Sequence, residues 1–290
     1  MEKVFEILVN GVSLGGIYAL IALGFVLIYK STGVINFAQG EFSMVGAYIC
    51  FSLIVHYDLP YMPAFLLTIV CCGVLGLVVE YLILRHMVGE PMFSLIMVTV
   101  GLASILTSLV GVIWGHEAHA IPSPLSGKTC MIGNVVVSQV NIYIVCVSLV
   151  LFGLFFFFFK KSSLGIGMRA TSEDQDTAQL MGFNVRKIFG MSWAISAVVA
   201  ATGGIFMAEQ TMVYNGMGNI GLRAFGAAIL GGMDSLGGAI LAGFIIGVVE
   251  SAAGVLIGGE VKEVVSFVIL LIVLMIRPFG LFGTKEIERV

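Results

Sequence analysis

The stretch QVNIYIVCVSLVLFGLFFFFF, residues 139–159, runs without a single charge and ends on Lys160 and Lys161. A helix needs about 20 apolar residues to cross the hydrocarbon of a bilayer. A membrane β-strand would instead alternate polar and apolar positions over about ten residues. The five consecutive phenylalanines at 155–159 do not alternate. Hydrocarbon offers the backbone no water to bond, so such a run must satisfy its own amides as a helix.

Outward from this segment, comparable runs lie at 4–29, 36–56, 60–84, 93–114, 187–208, 236–257 and 264–276. A further apolar piece, 224–233, is too short to cross alone. The expected fold is all-α: a polytopic membrane helix bundle of about eight transmembrane helices, with a broken or re-entrant segment near 224–238. The bundle forms a single transmembrane domain over 1–290. Composition agrees. Of 290 residues, 59% are hydrophobic and only 11% charged, against about 25% charged in soluble chains. Too little charge is present to coat a water-facing body. Disordered, collagenous, coiled-coil and disulfide-scaffold classes are excluded by the same figures.

A net charge of −3 without a concentrated basic face argues against nucleic acid as a partner. Cys50, Cys71, Cys72 and Cys146 lie in apolar runs, and Cys130 stands alone in a polar loop. No metal-ligand spacing is formed, so neither a metal site nor a cofactor is expected. The N-terminal run reads as a retained helix rather than a cleaved signal, because no small-residue cleavage pattern follows it.

Lysine and arginine set the expected orientation. Lys160, Lys161, Arg169, Arg186 and Lys187 crowd the loop 160–187, and Arg277, Lys285 and Arg289 lie at the C-terminus. Counting spans outward adds Lys30 and Arg85 to the cytoplasmic side. Lys3, Lys128, Arg223 and Lys262 fall outside. The N-terminus is therefore expected outside and the C-terminus in the cytoplasm. This requires the piece 224–233 to supply a crossing or to fold back.

Within loop 160–187, Ser172-Glu173-Asp174-Gln175 has the spacing of a capping box, with Ser172 accepting from the Gln175 amide. Glu173 and Asp174 would then face the positive helix end. Ala178, Leu180 and Met181 follow, and Gly182 supplies a stop. A short helix over 173–181 is expected, either as a docking element or as an ordinary structured loop.

Polar and small residues also open an apolar run at Ser31-Thr32-Gly33-Val34-Ile35-Asn36-Phe37-Ala38-Gln39-Gly40-Glu41. Buried polar groups are costly in hydrocarbon unless they face a cavity or a partner. Asn36, Gln39, Gly40 and Glu41 are candidates to line a path through a broken helix. The other reading is a helix entrance in which Asn36 caps and Glu41 reaches water. Gly231 and Gly232 interrupt the second apolar piece and join the candidates. Glu250 does too, as a path residue or as an interhelical hydrogen-bonding group. Glu80 reads as an interfacial partner of Arg85. Glu209 and Arg223 bracket a glycine-rich loop. Gly127-Lys128-Thr129 is not a phosphate loop, because position 122 is Pro122 where glycine is required. His116 and His119 lack further ligands.

Taken together, Asn10-Gly11 through Gly16-Ile17-Tyr18-Ala19-Leu20, Gly33 to Glu41, Gly165-Ile166-Gly167-Met168-Arg169-Ala170, Ala178-Gln179-Leu180-Met181-Gly182 and Gly226 to Gly238 resemble the LivH-type permease subunit of branched-chain amino acid ABC importers. The resemblance covers nearly the whole chain. It implies a second homologous permease subunit, two cytoplasmic ABC ATPase subunits and an extracytoplasmic amino-acid-binding protein as partners, all in a bacterial inner membrane. It implies a coupling element at Arg169, Ala170, Ser172, Glu173, Asp174, Ala178, Met181 and Gly182. Transport of leucine, isoleucine, valine or related amino acids by alternating access is implied, with ATP hydrolysis in separate chains. Relatives with similar motifs carry urea or short amides. A secondary transporter would need its own coupling-ion site at Glu80, Glu209 or Glu250. A membrane enzyme would need convergent catalytic groups, and none is readable.

Overall fold

The computed structural model describes residues 2–87, 90–132, 135–259 and 261–283. Its helices are α1 (Glu2–Thr32), α2 (Gln39–Val55), α3 (Tyr61–Leu82), α4 (Met92–Trp114), α5 (Gln139–Lys161), α6 (Ser163–Glu173), α7 (Gln175–Leu180), α8 (Val185–Gln210), α9 (Ile220–Gly231), α10 (Leu236–Leu256) and α11 (Lys262–Ile276). Among the described residues, six helices are long and apolar enough to cross a membrane, and two shorter apolar ones cover 39–55 and 264–276. The chain is an all-α membrane bundle. Lys285 and Arg289 lie outside the described residues.

The interior is inverted relative to a soluble protein. Apolar side chains such as Val112, Phe157 and Met275 are exposed on the outside of α4, α5 and α11, where hydrocarbon is their solvent. The centre is instead made of α1 and α8, packed with small residues. The two helices are antiparallel: Gly24 meets Ser196, and Ile21 meets Gly203.

Two four-helix units run in opposite directions through this centre. Each has a long helix, a break, a short helix beginning at depth, then two further helices: α1 to α4, and α8 to α11. Their contacts exchange. Helix α3 packs on α8 and α10 on α1. Gly76 of α3 sits against Trp193 and Ala194 of α8, and Gly247 of α10 sits against Gly15 of α1. Glu80 faces Gly190 as Ser251 faces Gly11. Side chains larger than hydrogen at these glycines would separate the helix backbones.

The short helices are short because the chain enters them from within. After α1, Gly33 adopts φ +70°, a left-handed turn that glycine accepts without cost. Residues 34–38 then run back alongside α1. The Gln39 side chain reaches Gly24, eight residues or about 12 Å back along α1 from its end. The apolar run read as 36–56 therefore divides into an extended approach and a helix from Gln39. Helix α9 has the same origin. It takes up the piece 224–233, starts four residues earlier, and ends at Gly231.

Lys30 Nζ donates to the Asp234 carbonyl at 2.8 Å. The turn after α9 is thus level with the end of α1, so α9 carries the chain to that end of the bundle. The Lys30 ammonium also lies 5.9 Å from the Phe159 ring, and Arg169 stacks on the same ring. One end of the molecule, the basic end, therefore gathers Lys30, Lys160, Lys161 and Arg169 beside the turn after α9. Segment 115–138 caps the opposite end. Rather than an irregular loop, it includes a hairpin of β1 (Thr129–Ile132) and β2 (Val135–Ser138), pairing Cys130 with Val137 and Met131 with Val136. The valine run 135–137 suits a pleated edge.

Candidate functional site

Two places carry the polar residues singled out in the sequence. At depth, the starts of α2 and α9 meet. Gly40 and Gly221, each the second residue of its helix, lie against each other, and Gly218 faces the Glu41 carboxylate. Both helices present their N-terminal ends, with free amides and positive partial charge, to this crossing.

Asn36 and Gln39 brace the crossing. Both are fully buried. Asn36 Oδ1 accepts from the Ala38 amide at 3.0 Å and its Nδ2 donates to Gln39 Oε1 at 3.2 Å. Gln39 Nε2 donates to the Ser196 carbonyl at 3.2 Å, and Ser196 Oγ donates to Gln39 Oε1 and the Gly24 carbonyl. This network closes the polar groups of the extended approach onto α1 and α8, as a buried polar network must. Of the group 36–41, Glu41 is the acidic residue left partly accessible.

Glu250 is fully buried and takes a hydrogen bond from Arg223 Nη1 at 3.3 Å, while the same nitrogen reaches Tyr18 Oη at 3.2 Å. Arg223 is therefore a half-buried helix residue tying α1, α9 and α10, rather than a loop charge on the outer face. Nothing in its spacing reveals this, because the partner lies 27 positions away. Gly231 and Gly232 lie at the basic end against Gly238 and Gly283, where they close the turn between α9 and α10. Glu80 pairs with Arg85 at 3.0 Å as expected. Segment 31–48 reaches the crossing through Gly40 and Glu41, which lie against Gly221 and Gly218, residues that precede the segment 226–238.

The second place is a hook at the basic end, α6 and α7. The helix expected over 173–181 is present as α7 over 175–180, with α6 as a second short helix ahead of it, and the cap falls two residues later than Ser172. Ser172 lies inside the last turn of α6. Asp174 is the N-cap of α7, accepting from the Thr177 amide at 2.8 Å. That bond favours the charged carboxylate and holds its pKa below the ordinary aspartate value. Ser162 caps α6 by accepting from Gly165 at 2.9 Å. Gly182 ends α7 as expected, at φ +89°. The Phe183 amide bonds to the Ala178 carbonyl and the Gly182 amide to Gln179, the paired bonds of a Schellman stop.

The hook's chemistry divides by exposure. Ala178 is 2% exposed and faces inward, whereas Leu180 is 88% and Met181 76% exposed. Ser172, Glu173 and Asp174 are also exposed. Arg169 is spent internally: its guanidinium donates to the carbonyls of Phe159 and Lys160, covering the orphan carbonyls at the end of α5. It fastens α6 to α5, and Ala170 next to it is half-buried.

Residues 7–274 match the family described as branched-chain amino acid transport system, permease component. The chain is 35% identical to the high-affinity branched-chain amino acid transport system permease protein BraD of Pseudomonas aeruginosa, over 98% of this chain and 97% of the relative. It is 31% identical to the permease protein LivH of Escherichia coli, over 97% and 96%. A probable LivH of Methanocaldococcus jannaschii is 29% identical, over 98% and 94%. These relatives are named as transport permeases, which makes this chain a multi-pass transport subunit rather than an enzyme. The chain belongs to the branched-chain amino acid transport permease family.

Proposed function

We propose that the chain is the translocation subunit of an ATP-driven importer for leucine, isoleucine, valine or related amino acids, in a bacterial inner membrane. The basic end is the cytoplasmic one, with the N-terminus outside. A second homologous permease, two ABC ATPases and an external binding protein complete the assembly. The observation that carries this reading is the hook. It is capped at both helix starts, stopped by Gly182, and fastened by Arg169, yet it offers Leu180 and Met181 to water. Exposed apolar residues on a rigid support mark a docking surface.

The route for solute centres on the crossing of α2 and α9. ATP-driven movement of the hook would pass along α6 and α8 to the helices that hold this crossing, opening it to one side and then the other. Both helix N-terminal ends there favour a carboxylate, and Glu41 offers a group for an ammonium. A zwitterion with an aliphatic side chain needs little more. The path residues are then Glu41 and Gly40, with Asn36, Gln39, Gly231, Gly232 and Glu250 holding the helices around them.

Co-expression with the ATPases and binding protein, reconstitution into vesicles and measurement of leucine uptake test the proposal. Uptake that requires ATP and all the partners supports it. Concentrative uptake by this chain alone, driven by an ion gradient, overturns it. Urea and acetamide in the same vesicles separate the amino acid reading from the amide reading.

A further inference from the structure

A cleft of about 740 Å³ opens at the basic end between α3 and the start of α8. Its walls are Val74, Leu77 and Val78 of α3, all substantially exposed toward the bilayer. Its rim carries Arg85, Arg186 and Lys187. Glu80 lies in the cleft, 2% exposed and already bound by Arg85 through Nη2–Oε2 at 3.0 Å and Nε–Oε1 at 3.4 Å. The Arg85 guanidinium stacks on Tyr81, 4.7 Å from the ring centre. Arg85 is thus held in place, and its charge is offset by Glu80. Arg186 and Lys187 add two positive charges on exposed side chains. They sit in the first turn of a 26-residue helix whose start is capped by Asn184.

The cleft differs from the hook in chemistry. Its apolar wall is continuous with the lipid-facing side of α3, and its charge stands only at the end where that wall meets water. A soluble anion would have no use for the wall. A neutral lipid would have no use for the cations. The arrangement fits an amphiphile with an anionic head and aliphatic tails. We infer that this cleft binds a diacyl phospholipid of net negative charge, its phosphate on Arg186, Lys187 and the edge of Arg85, and its chains along Val74, Leu77 and Val78. Basic pockets between helices at a membrane boundary recognise lipid heads by these means. Arg186 lies four residues beyond the hook's terminal glycine, so a bound lipid would brace the α3–α8 pair at the base of the hook.

The test uses the chain purified with its partner subunits, exchanged into detergent, with retained lipid read by native mass spectrometry during titration with phosphatidylglycerol or phosphatidylcholine. Wild type should retain phosphatidylglycerol over phosphatidylcholine. The neutral double variant R186Q/K187Q should bind it about thirtyfold more weakly, the effect of two surface charges. K262Q, at the opposite end, should bind as wild type and controls for general charge. V78D, which places a carboxylate on the wall, should also weaken binding, while glycerol phosphate at equal concentration should not compete. Unchanged affinity in R186Q/K187Q overturns the site. Competition by glycerol phosphate or inorganic phosphate overturns the lipid assignment in favour of a soluble anion. Lipid binding that appears only after the ATPase subunits are stripped from the complex shows the cations to be a protein interface, and overturns it as well.

Discussion

Gly40 and Gly221 touch backbone to backbone: a Cβ built on Gly221 would stand 2.7 Å from the Gly40 Cα. Each is the second residue of a helix that starts at depth, and they belong to oppositely directed units. The contact therefore joins the two units where their helix N-termini converge. No flexible side-chain tip stands at this contact to give way. Gly221→Ala should lower stability by about 1–3 kcal/mol, the usual range for overpacking, and reduce uptake by more than its loss of folded protein explains. Gly237→Ala, where a Cβ meets nothing within 4 Å, should be neutral in both. Thermal unfolding in detergent alongside vesicle uptake reads the two effects.

The Arg223–Glu250 pair sets up a second expectation. The Glu250 side chain has no solvent exposure and that of Arg223 17%. Removing one member of this largely buried pair takes a partner from the other charge, at a cost of up to about 3–5 kcal/mol. Arg223→Met should therefore destabilise severely, and Arg223→Met with Glu250→Met should recover much of the loss. A double-mutant cycle on unfolding midpoints measures it. Strict additivity would mean that the pair is not coupled.

Much of this bundle is written in local sequence, and the contrast with what is not has a physical cause. Apolar length locates a spanning helix without knowledge of its neighbours, so 139–159 and 93–114 correspond closely to α5 and α4. Gly182 was legible because a helix stop depends on one residue's φ. The Ser172 cap was misread because Ser172 and Asp174 both precede suitable residues, and only the end of α6 decides between them. Asn36 and Gln39 were legible as buried polar residues, but not as braces. Their partner Ser196 lies 157 positions from Gln39, and periodicity carries no record of such a distance. The same holds for the lipid-facing cleft, whose two sides are more than a hundred residues apart.

Asp174 gives a pH expectation with a definite sign. Its hydrogen bond from the Thr177 amide lowers its pKa in the folded hook. The cap's contribution is thus fully present above the unfolded aspartate pKa, and is lost as pH falls through the lower folded value. Protection of the Thr177 amide against hydrogen exchange, corrected for intrinsic rates, should stay constant from neutral pH down to the ordinary aspartate range, then fall. Asp174→Asn should retain a cap but remove the pH step. A step surviving in Asp174→Asn would assign it to another group.

The hook allows folding and docking to be separated, because its two faces are chemically distinct. Ala178 packs inward and its amide bonds to the Asp174 carbonyl at 3.0 Å. Ala178→Pro removes that donor within α7 and should unfold the hook. Leu180 and Met181 project into water, so Leu180→Asp with Met181→Asp should leave the unfolding midpoint of the isolated chain nearly unchanged. If the exposed pair is the grip for an ATPase, the double variant should lose the ATPase in pull-down and should lose ATP-dependent uptake, as Ala178→Pro does. Arg169→Glu should behave like Ala178→Pro, by freeing α6 from α5. Full retention of the ATPase by the Leu180 and Met181 variant would move the docking surface elsewhere on the basic end, with Glu173 and Asp174 the next exposed residues to test.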